Sequence, residues 1–345
     1  MSTPWRTYAD PPQSDGALDA AQRRSRGRER RHDVDFDDAL DDNASGYVVW
    51  MCADALGAVQ GPRAPIIDAL AVDDALPGPW EADLLDLARR RGLAGGAAEV
   101  MAQAYQAAVA AIAAEPLHAV RAAALRRASR LAKDIEPAAV ASSEAAVRRL
   151  VSGKSAPAQL RSDRVSLRWG AEAGPAQDLG AELAQYRESL PEPAARLLAQ
   201  YRVADALADS AGRVLILMAR GGGTDDVILL EAAPAEASSR EDDYGAWRDG
   251  SDVQRVLLAR ESVPLIPSEF AGWSTSADGA TARVWSRARA AKSLPDWGPK
   301  RARARALGSA LGLLHATTGD AASLAGYLGH SSRFPEAVRA AMKSS

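Results

Sequence analysis

The hydrophobic period of the chain changes near residue 200, and this change limits the fold class more than any other feature. From Ala97 onward, apolar residues recur at the spacing of an amphipathic helix. The later apolar runs 213–219 and 227–230 are short and continuous, as in buried strands, and a glycine-bearing loop separates them. Helical spacing returns over 300–315. The chain is therefore predicted to be α+β, mainly helical with a small antiparallel sheet.

Shorter segments complete the predicted element order. Further strands are expected at 47–52, 65–72, 165–169, 253–259 and 281–286, and further helices at 80–91, 117–133, 142–151 and after Pro335. The first two strands could pair as a hairpin. The turn that follows them, Pro77-Gly78-Pro79, precedes the first of these helices.

Charge and composition exclude several classes of protein. A formal net charge of -3 gives no bulk attraction to nucleic acid or to an acidic membrane surface, so neither is expected as a partner. The one cysteine, Cys52, cannot form an internal disulfide and fits a reducing compartment. No signal peptide is visible, and the longest apolar stretch is too short to span a bilayer. A soluble cytoplasmic protein is the expectation.

Residues 1–45 are predicted to be a disordered charged arm. Six arginines between Arg23 and Arg31 are followed by six aspartates between Asp33 and Asp42. Charged segments with few apolar residues cannot build a core. The adjacent blocks have opposite sign and can pair with each other, which weakens the case for a nucleic-acid-binding tail.

Four stretches, in order, resemble one bacterial family. They are Gly-Pro-Trp-Glu-Ala-Asp-Leu at 78–84, Phe-Ala-Gly-Trp at 270–273, the pair Arg287 and Lys292, and 311–320 continued by Ala-Gly-Tyr-Leu-Gly at 325–329. The chain resembles a shortened, divergent member of the family called domain of unknown function 2252. That family is thought to be distantly related to protein and aminoglycoside kinases.

The resemblance implies a single kinase-like domain over 46–345, with two lobes. Residues 46–200 would be mainly helical with a short hairpin, 201–290 would form the small antiparallel sheet, and 291–345 would supply closing helices. It further implies that the loop after the first strand corresponds to a kinase catalytic loop. Asp54 then matches the aspartate that orients or deprotonates the acceptor hydroxyl. An aspartate that caps a turn or helix is an equally good interpretation of Asp54.

The magnesium ligands implied by the resemblance are largely replaced. The family's histidine and asparagine in that loop are Leu56 and Val59 here, and neither side chain has a lone pair for a metal. Downstream, Ala71 takes the place of one aspartate. Asp73 and Asp74 remain as adjacent carboxylates that could bind a cation, although such a pair before a Pro-Gly-Pro turn is usually solvated.

The phosphate-binding features are also reduced. The family's glycine-rich loop falls on 207–212, where only Ser210 and Gly212 match, and Asp209 would repel a triphosphate. The nucleotide-clamping lysine is replaced by Leu230, and no lysine occurs between Lys154 and Lys292. The Gly-Gly-Gly-Thr run at 221–224 lies between two predicted strands, so turn chemistry explains it.

Three further residues are candidates for binding a cofactor. Arg287 and Lys292 could bind an anion, or they are exposed cations at a strand end. His315 matches a family histidine, or it is a packed or dipole-capping residue late on a helix. Zinc is poorly supported, because the histidines are dispersed and Cys52 stands alone in the sequence.

Three hypotheses follow for function. The preferred one is a catalytically degenerate, pseudoenzyme-like protein of the kinase-like family that binds an unknown protein or small-molecule ligand and needs no cofactor. The second is an ATP-dependent phosphotransferase, with Mg-ATP held by non-standard ligands among Asp54, Asp73 and Asp74. The third is a structural subunit of a complex, which predicts an exposed apolar patch.

Overall fold

The computed structural model describes most of the chain after residue 18. The described residues are 19–43, 45–61, 65–131, 140, 142–152, 158–176, 179–221, 226–247, 250–276, 278–289 and 299–343. Within them, no helix has the length and apolar character needed to cross a membrane.

Fourteen helices lie in this part of the chain. They are α1 (Ala20–Asp33), α2 (Phe36–Asp42), α3 (Trp80–Arg90), α4 (Gly96–Ala113), α5 (Val120–Leu131), α6 (Ser143–Leu150), α7 (Ser162–Trp169), α8 (Gly180–Ser189), α9 (Glu192–Leu198), α10 (Glu241–Tyr244), α11 (Asp252–Ser262), α12 (Lys300–Thr318), α13 (Ala321–Leu328) and α14 (Arg333–Ala341). Short 3-10 turns cover Ala53–Ala55 and Leu117–Ala119.

The strands form one larger sheet and three two-stranded ladders, all antiparallel. They are β1 (Val48–Met51), β2 (Leu56–Gln60), β3 (Pro65–Ala69), β4 (Leu76–Pro79), β5 (Val151–Ser152), β6 (Gln159–Leu160), β7 (Gly174–Pro175), β8 (Arg202–Ala208), β9 (Val214–Ala219), β10 (Val227–Pro234), β11 (Gly272–Thr275) and β12 (Ala282–Arg287). The larger sheet has the order β11-β12-β10-β9-β8-β7, and the ladders are β1-β4, β2-β3 and β5-β6. The prediction of an α+β protein with small antiparallel sheets is confirmed.

The six-stranded sheet is covered on both faces, which explains the continuous apolar run of β9. Val214, Ile216 and Met218 pack in one cluster with α8 and α9. Leu215 and Leu217 point to the other face and pack with α6 and α7. A strand buried on both faces cannot alternate polar with apolar residues, because side chains of both parities enter a core.

The helical body is organised around the close packing of α4 and α12. A Cβ on Gly308 would lie 2.1 Å from the carbonyl oxygen of Met101, and one on Gly312 would lie 2.7 Å from that of Tyr105. Only glycine at these positions allows the two backbones to approach so closely. This contact places the C-terminal half of α12, including His315, over the middle of α4.

Residues 20–42 differ from the disordered arm expected for 1–45. Asp19 and Gln22 form a capping box at the start of α1. α1 lies directly against α13, since a Cβ on Gly27 would lie 2.0 Å from the carbonyl oxygen of Ser323. In α2, Phe36 and Leu40 are buried in the main core. Charged residues dominate the composition of this segment. Its few apolar residues are enough to hold it in an ordered structure, because they pack in one core with α13 and α14.

Strand pairing near the start of the domain also differs from the predicted hairpin. β1 pairs with β4, with Trp50 opposite Pro77. β3 pairs instead with β2, the short strand that follows the 3-10 turn. The pairing of β1 skips two strands in the sequence, and such non-local pairing leaves no mark in local periodicity.

Two segments predicted as strands are helices. Residues 165–169 lie in α7, and residues 253–259 lie in α11. α11 begins with a capping box formed by Ser251 and Gln254. The capping signal, followed by an apolar face that packs on β12 through Val253 and Val256, outweighs the strand propensity of the valines.

α11 also holds the turn before β4. Its buried Arg255 donates from Nη1 to the carbonyl oxygens of Asp73 (2.7 Å) and Ala75 (2.9 Å), and from Nη2 to that of Glu236 (2.6 Å). Arg260 forms two hydrogen bonds of 2.8 and 2.7 Å with the Asp73 carboxylate. The helix therefore fixes Asp73 and the residues next to it.

The α4–α12 contact yields a stability prediction. We expect Gly308→Ala to lower the free energy of unfolding by about 1–3 kcal/mol, because the added methyl group forces the two helix backbones apart. Urea unfolding followed by circular dichroism measures this. Gly174→Ala is the matched control, since a Cβ there meets nothing within 4 Å. Equal stabilities of the two variants would contradict the importance of this contact.

Candidate functional site

Asp83 is the centre of a buried polar network. It lies in the first turns of α3, and its carboxylate is inaccessible to solvent. It accepts backbone hydrogen bonds from Cys52 (2.7 Å) and Ala53 (3.0 Å) and one from His315 Nε2 (3.0 Å). A buried carboxylate needs such donors to offset its lost hydration. Asp83 therefore joins α3 to α12 and to the end of β1.

His315 continues the network into the helical body. Its Nδ1 lies 2.9 Å from the Tyr105 hydroxyl on α4, and the two rings meet edge to face. The His315 imidazole therefore bridges the Asp83 carboxylate and the Tyr105 hydroxyl through its two ring nitrogens. Burial raises the pKa of Tyr105 well above its usual value, so the phenol stays protonated. His315 was expected either to match a functional histidine of the family or to be a packed or dipole-capping residue; the structure places it, fully buried, in a hydrogen-bonded chain.

Cys52, Asp83 and His315 each offer a ligand atom, and these atoms lie within 4.8 Å of one another. The fold thus brings together three residues that are far apart in the sequence. The hydrogen bonds already described use Asp83 and both ring nitrogens of His315. Burial, followed by the nearby Asp83 charge, raises the pKa of Cys52 well above its usual value, which keeps it a thiol. This chemistry favours a structural network over a metal site.

A second buried acid lies beside Asp83. Glu81 accepts a hydrogen bond from the Ser45 amide (3.2 Å), and Trp80 donates from its indole to the Ser45 hydroxyl (2.9 Å). Burial raises the pKa of Glu81 to about 8. Glu81 is therefore mostly neutral near pH 7, so the core around Trp80 contains one buried negative charge fewer.

Arg240 lies among four aspartates at the edge of this network. Its Nη2 donates to Asp54 at 2.8 Å and lies 3.9 Å from Asp86. Its Nη1 lies 3.7 Å from Asp83, and its Nε lies 3.9 Å from Asp74. The Arg240 side chain is 10% exposed. Burial lowers its pKa, but the Asp83 and Asp54 carboxylates raise it more, so the net shift is upward.

The two adjacent aspartates predicted as metal ligands engage different arginines. Asp74 approaches Arg240 and accepts hydrogen bonds from the Ser239 amide (2.7 Å), the Ser239 hydroxyl (2.7 Å) and the Ser238 hydroxyl (3.1 Å). Asp73 pairs with Arg260. Burial alone would raise the pKa of both carboxyls; the Ser239 hydrogen bonds lower that of Asp74, and the Arg260 charge lowers that of Asp73, below the usual value.

A polar cavity of about 310 Å³ opens beside Arg240. Its charged lining consists of Asp41, Asp74, Asp86 and Asp243 and of Arg89, Arg90 and Arg240. Ser239 and Tyr244 add hydroxyl groups. Carboxylates outnumber guanidinium groups in this lining even before the adjacent Asp54 and Asp83 are counted.

The residues expected to cradle phosphate lie in a tight turn of the larger sheet. Ser210 and Gly212 belong to the connection between β8 and β9, where the Gly212 amide donates to the Asp209 carbonyl oxygen at 3.1 Å. The buried Asp209 carboxylate pairs with Arg213 at 2.6 Å. Gly212 has a φ of 79°, which suits glycine. Turn geometry accounts for these residues.

The remaining predicted site residues lie elsewhere. Arg287, at the end of β12, pairs with Glu269 at 2.9 Å. Lys292 lies outside the described residues, as does most of the Gly-Gly-Gly-Thr run. Leu230, in the position of the clamping lysine, is fully buried in β10. Leu56 and Val59 are buried in β2, and Ala71 is exposed.

Sequence reasoning missed Asp83, Tyr105 and Arg240. A signal existed for Asp83, because it lies three residues after Trp80, on the apolar face of the predicted helix. A carboxylate at such a position needs a buried partner. Arg240 carries no comparable signal, since it lies in a polar stretch with charged neighbours. Its position depends on how the β10–α11 connection folds back.

Comparison with known families gives one finding. The model of the family described as "Uncharacterized protein conserved in bacteria (DUF2252)" matches residues 32–344. The chain belongs to this family, as the resemblance in its motifs predicted. Searches of curated proteins and of solved structures find no match.

Glu81 generates a pH prediction. Its pKa is about 8 in the folded protein, against an ordinary value of 4.5. Between these values the folded state holds a proton that the unfolded chain releases, so stability from Glu81 is full at low pH and falls as pH rises. Asp68, whose pKa burial raises to about 6, makes the same kind of contribution at lower pH. We therefore expect Glu81→Gln to flatten the fall in the free energy of unfolding between pH 6.5 and 8.5.

Urea unfolding at several pH values within that range measures the effect. Glu144→Gln is the control, because Glu144 is exposed on α6. If Glu81→Gln and Glu144→Gln show the same slope against pH, Glu81 does not hold a proton at neutral pH in the folded protein.

Proposed function

We propose that this member of the DUF2252 family is a catalytically degenerate, pseudoenzyme-like protein that binds a small polar ligand or a partner and does not transfer phosphate. The observation that carries the proposal is the position of Arg240. A fixed guanidinium group lies among Asp54, Asp74 and Asp83, where a kinase-like member would need its carboxylates free to hold a divalent cation.

The kinase-like relationship itself belongs to this proposal. It rests on the resemblance of the loop around Asp54 to a catalytic loop. The division of the chain into a helical body and a six-stranded sheet, with Arg240 reaching from the sheet side to α3, is compatible with two lobes that meet at a cleft. The polar cavity beside Arg240 is then the remnant of that cleft.

The charge of this cavity supports a ligand other than a nucleotide. Asp54 and Asp83 lie next to Arg240, and four more aspartates line the cavity itself. A triphosphate would meet more negative than positive groups there, and like charges at close range disfavour binding. A polar uncharged or cationic molecule meets no such repulsion.

The residues around Asp54 do not fit Mg-ATP. Leu56 and Val59 offer no ligand atom, and Asp74 already accepts three hydrogen bonds from Ser238 and Ser239. In the larger sheet, the turn that would bind phosphate contains Asp209, whose carboxylate is paired with Arg213. The position of the nucleotide-clamping lysine is occupied by the buried Leu230. Each replacement removes charge stabilisation on which phosphoryl transfer depends.

An ATP-dependent phosphotransferase is the second candidate, because Asp54 and Asp74 do converge on Arg240. It requires a cation to displace or join the guanidinium group. Any ATP turnover must then fall sharply in Asp54→Asn and Asp74→Asn. Turnover that is unchanged in both variants would exclude these residues from catalysis.

The structural-subunit hypothesis stays a prediction, tested by proteins that co-purify with the chain.

Nucleotide binding tests the main proposal directly. We expect Mg²⁺ to add nothing to the binding of ATP: at millimolar ATP, neither the melting temperature nor the heat of binding should be greater with Mg²⁺ than without it, because the carboxylates around Arg240 are not free to hold the ion. Clear micromolar binding that requires Mg²⁺ would contradict the proposal, since it would show a working nucleotide site.

A variant tests the role assigned to Arg240. We expect Arg240→Gln to be less stable than the wild type by about 1–3 kcal/mol, because the buried Asp83 and three partly exposed aspartates lose a nearby positive charge. Millimolar Mg²⁺ or Ca²⁺ should restore part of this loss, since the freed carboxylates are suitable ligands for either ion. Melting temperatures with and without each ion measure the recovery.

Arg260→Gln is the matched control for Arg240→Gln. It frees Asp73 from its bidentate partner but leaves Arg240 in place among its four aspartates. Equal cation responses in the two variants, or none in Arg240→Gln, would overturn the idea that Arg240 takes the place of a metal ion. Arg240→Lys retains a charge and should respond less than Arg240→Gln.

A further inference from the structure

A second and larger cavity, of about 540 Å³, lies between α1, α4, α13 and the start of α14. It shares no lining residue with the cavity beside Arg240. Its volume falls within the range of small-molecule sites. The proposed function above makes no use of it.

The lining of this cavity is strongly basic. Its charged and titratable members are Arg24, Arg28, Arg31, His32, His330 and Arg333, against one acid, Asp35. The Asp35 carboxylate is already engaged, because it accepts a hydrogen bond from the Asp38 amide and caps α2. The cavity therefore carries a net positive charge that its own lining does not neutralise.

Two of the arginines are held in place by neutral groups. Arg24 Nη2 donates to the carbonyl oxygen of Ala113, at the end of α4. Arg31 Nη1 donates to the carbonyl oxygen of Tyr327, near the end of α13, at 3.4 Å. Helix C-termini attract cations through their free carbonyl groups, so they orient these guanidinium groups without cancelling their charge.

The other two arginines, Arg28 and Arg333, are exposed. Within the described part of the chain, neither Arg28 nor Arg333 has a carboxylate partner. Arg24, Arg28 and Arg31 are spaced by four and three residues, so they share one face of α1 and extend over about 10 Å. Like charges on successive turns repel one another unless an anion lies between them.

The backbone beneath this row of arginines is closely packed against α13. α1 and α13 cross at Gly27 and Gly326, where a Cβ on Gly326 would lie 2.2 Å from the carbonyl oxygen of Arg24. The crossing fixes the position of Arg24 relative to α13, and with it the width of the cavity. A site whose arginines are positioned before binding loses less conformational entropy when a ligand arrives.

We propose that this cavity binds a small anion that carries two or more phosphate groups. Four guanidinium groups can each form paired hydrogen bonds with phosphate oxygens. A row of about 10 Å along α1 is longer than one phosphate group, so a diphosphate or triphosphate uses it more fully. The side chains of Ala110, Ala114 and Phe36 give the cavity an apolar wall against which the remainder of such a molecule can pack.

Inorganic triphosphate is the probe for this proposal. Calorimetry on the full chain, in a low-salt buffer without phosphate, measures its affinity. We expect saturable binding with one site per chain that weakens as salt is added. Potassium sulfate at the same ionic strength is the control for non-specific attraction of anions. Sulfate should bind more weakly than triphosphate if the cavity is shaped for several phosphate groups.

Arg28→Gln and Arg333→Gln test the site itself. Both residues are exposed, so the variants are expected to fold, and each should weaken triphosphate binding on the order of tenfold. The matched control is Arg126→Gln, which removes an exposed arginine of α5 that lies outside the cavity. No binding at millimolar triphosphate, or the same loss in Arg126→Gln as in Arg28→Gln, would overturn the proposal.

Discussion

The charge of Asp83 must be compensated inside the protein, and much of the domain is arranged to do so. Backbone amides at the end of β1 and the imidazole of His315 supply hydrogen bonds, while Arg240 supplies a nearby positive charge. These groups come from the start, the end and the middle of the chain. An ionised carboxylate removed from water without such partners would destabilise the fold severely. The need to satisfy one charge therefore joins the helical body to the sheet.

This compensation also bears on function. In a phosphotransferase, carboxylates at a cleft stay available for metal ions, and the positive charge arrives with the substrate. Here the positive charge belongs to the protein, and Asp54 and Asp74 already have partners. A site whose carboxylates already face a guanidinium group of the protein has little left to offer a developing transition state.

Periodicity predicted the long elements well because packing and local spacing agree in them. α4 and α12, and the β9–β10 hairpin, lie where the apolar pattern indicated. Short segments such as 253–259 were misassigned, because a capping box at Ser251 outweighs a run that strand propensity also favours. The family resemblance selected Asp54, Asp74 and His315, which the fold does bring near Asp83. Arg240 could not be identified as a site residue from the sequence, because the local sequence of a polar loop does not show which distant carboxylates its side chains will contact.

The interlocked glycines of α1 and α13 have a consequence for synthesis. The Ser323 hydroxyl donates to the carbonyl oxygen of Arg23, 300 residues earlier in the chain. At ordinary ribosomal rates, α1 and α2 wait about 15 to 60 s before their partner helices are made. During that time Phe36 lacks Tyr327 and Phe334, the two aromatic rings that it packs against. A nascent chain of this protein is therefore expected to depend on chaperones until its last helices emerge, and truncation near the C-terminus should aggregate rather than leave a smaller folded domain.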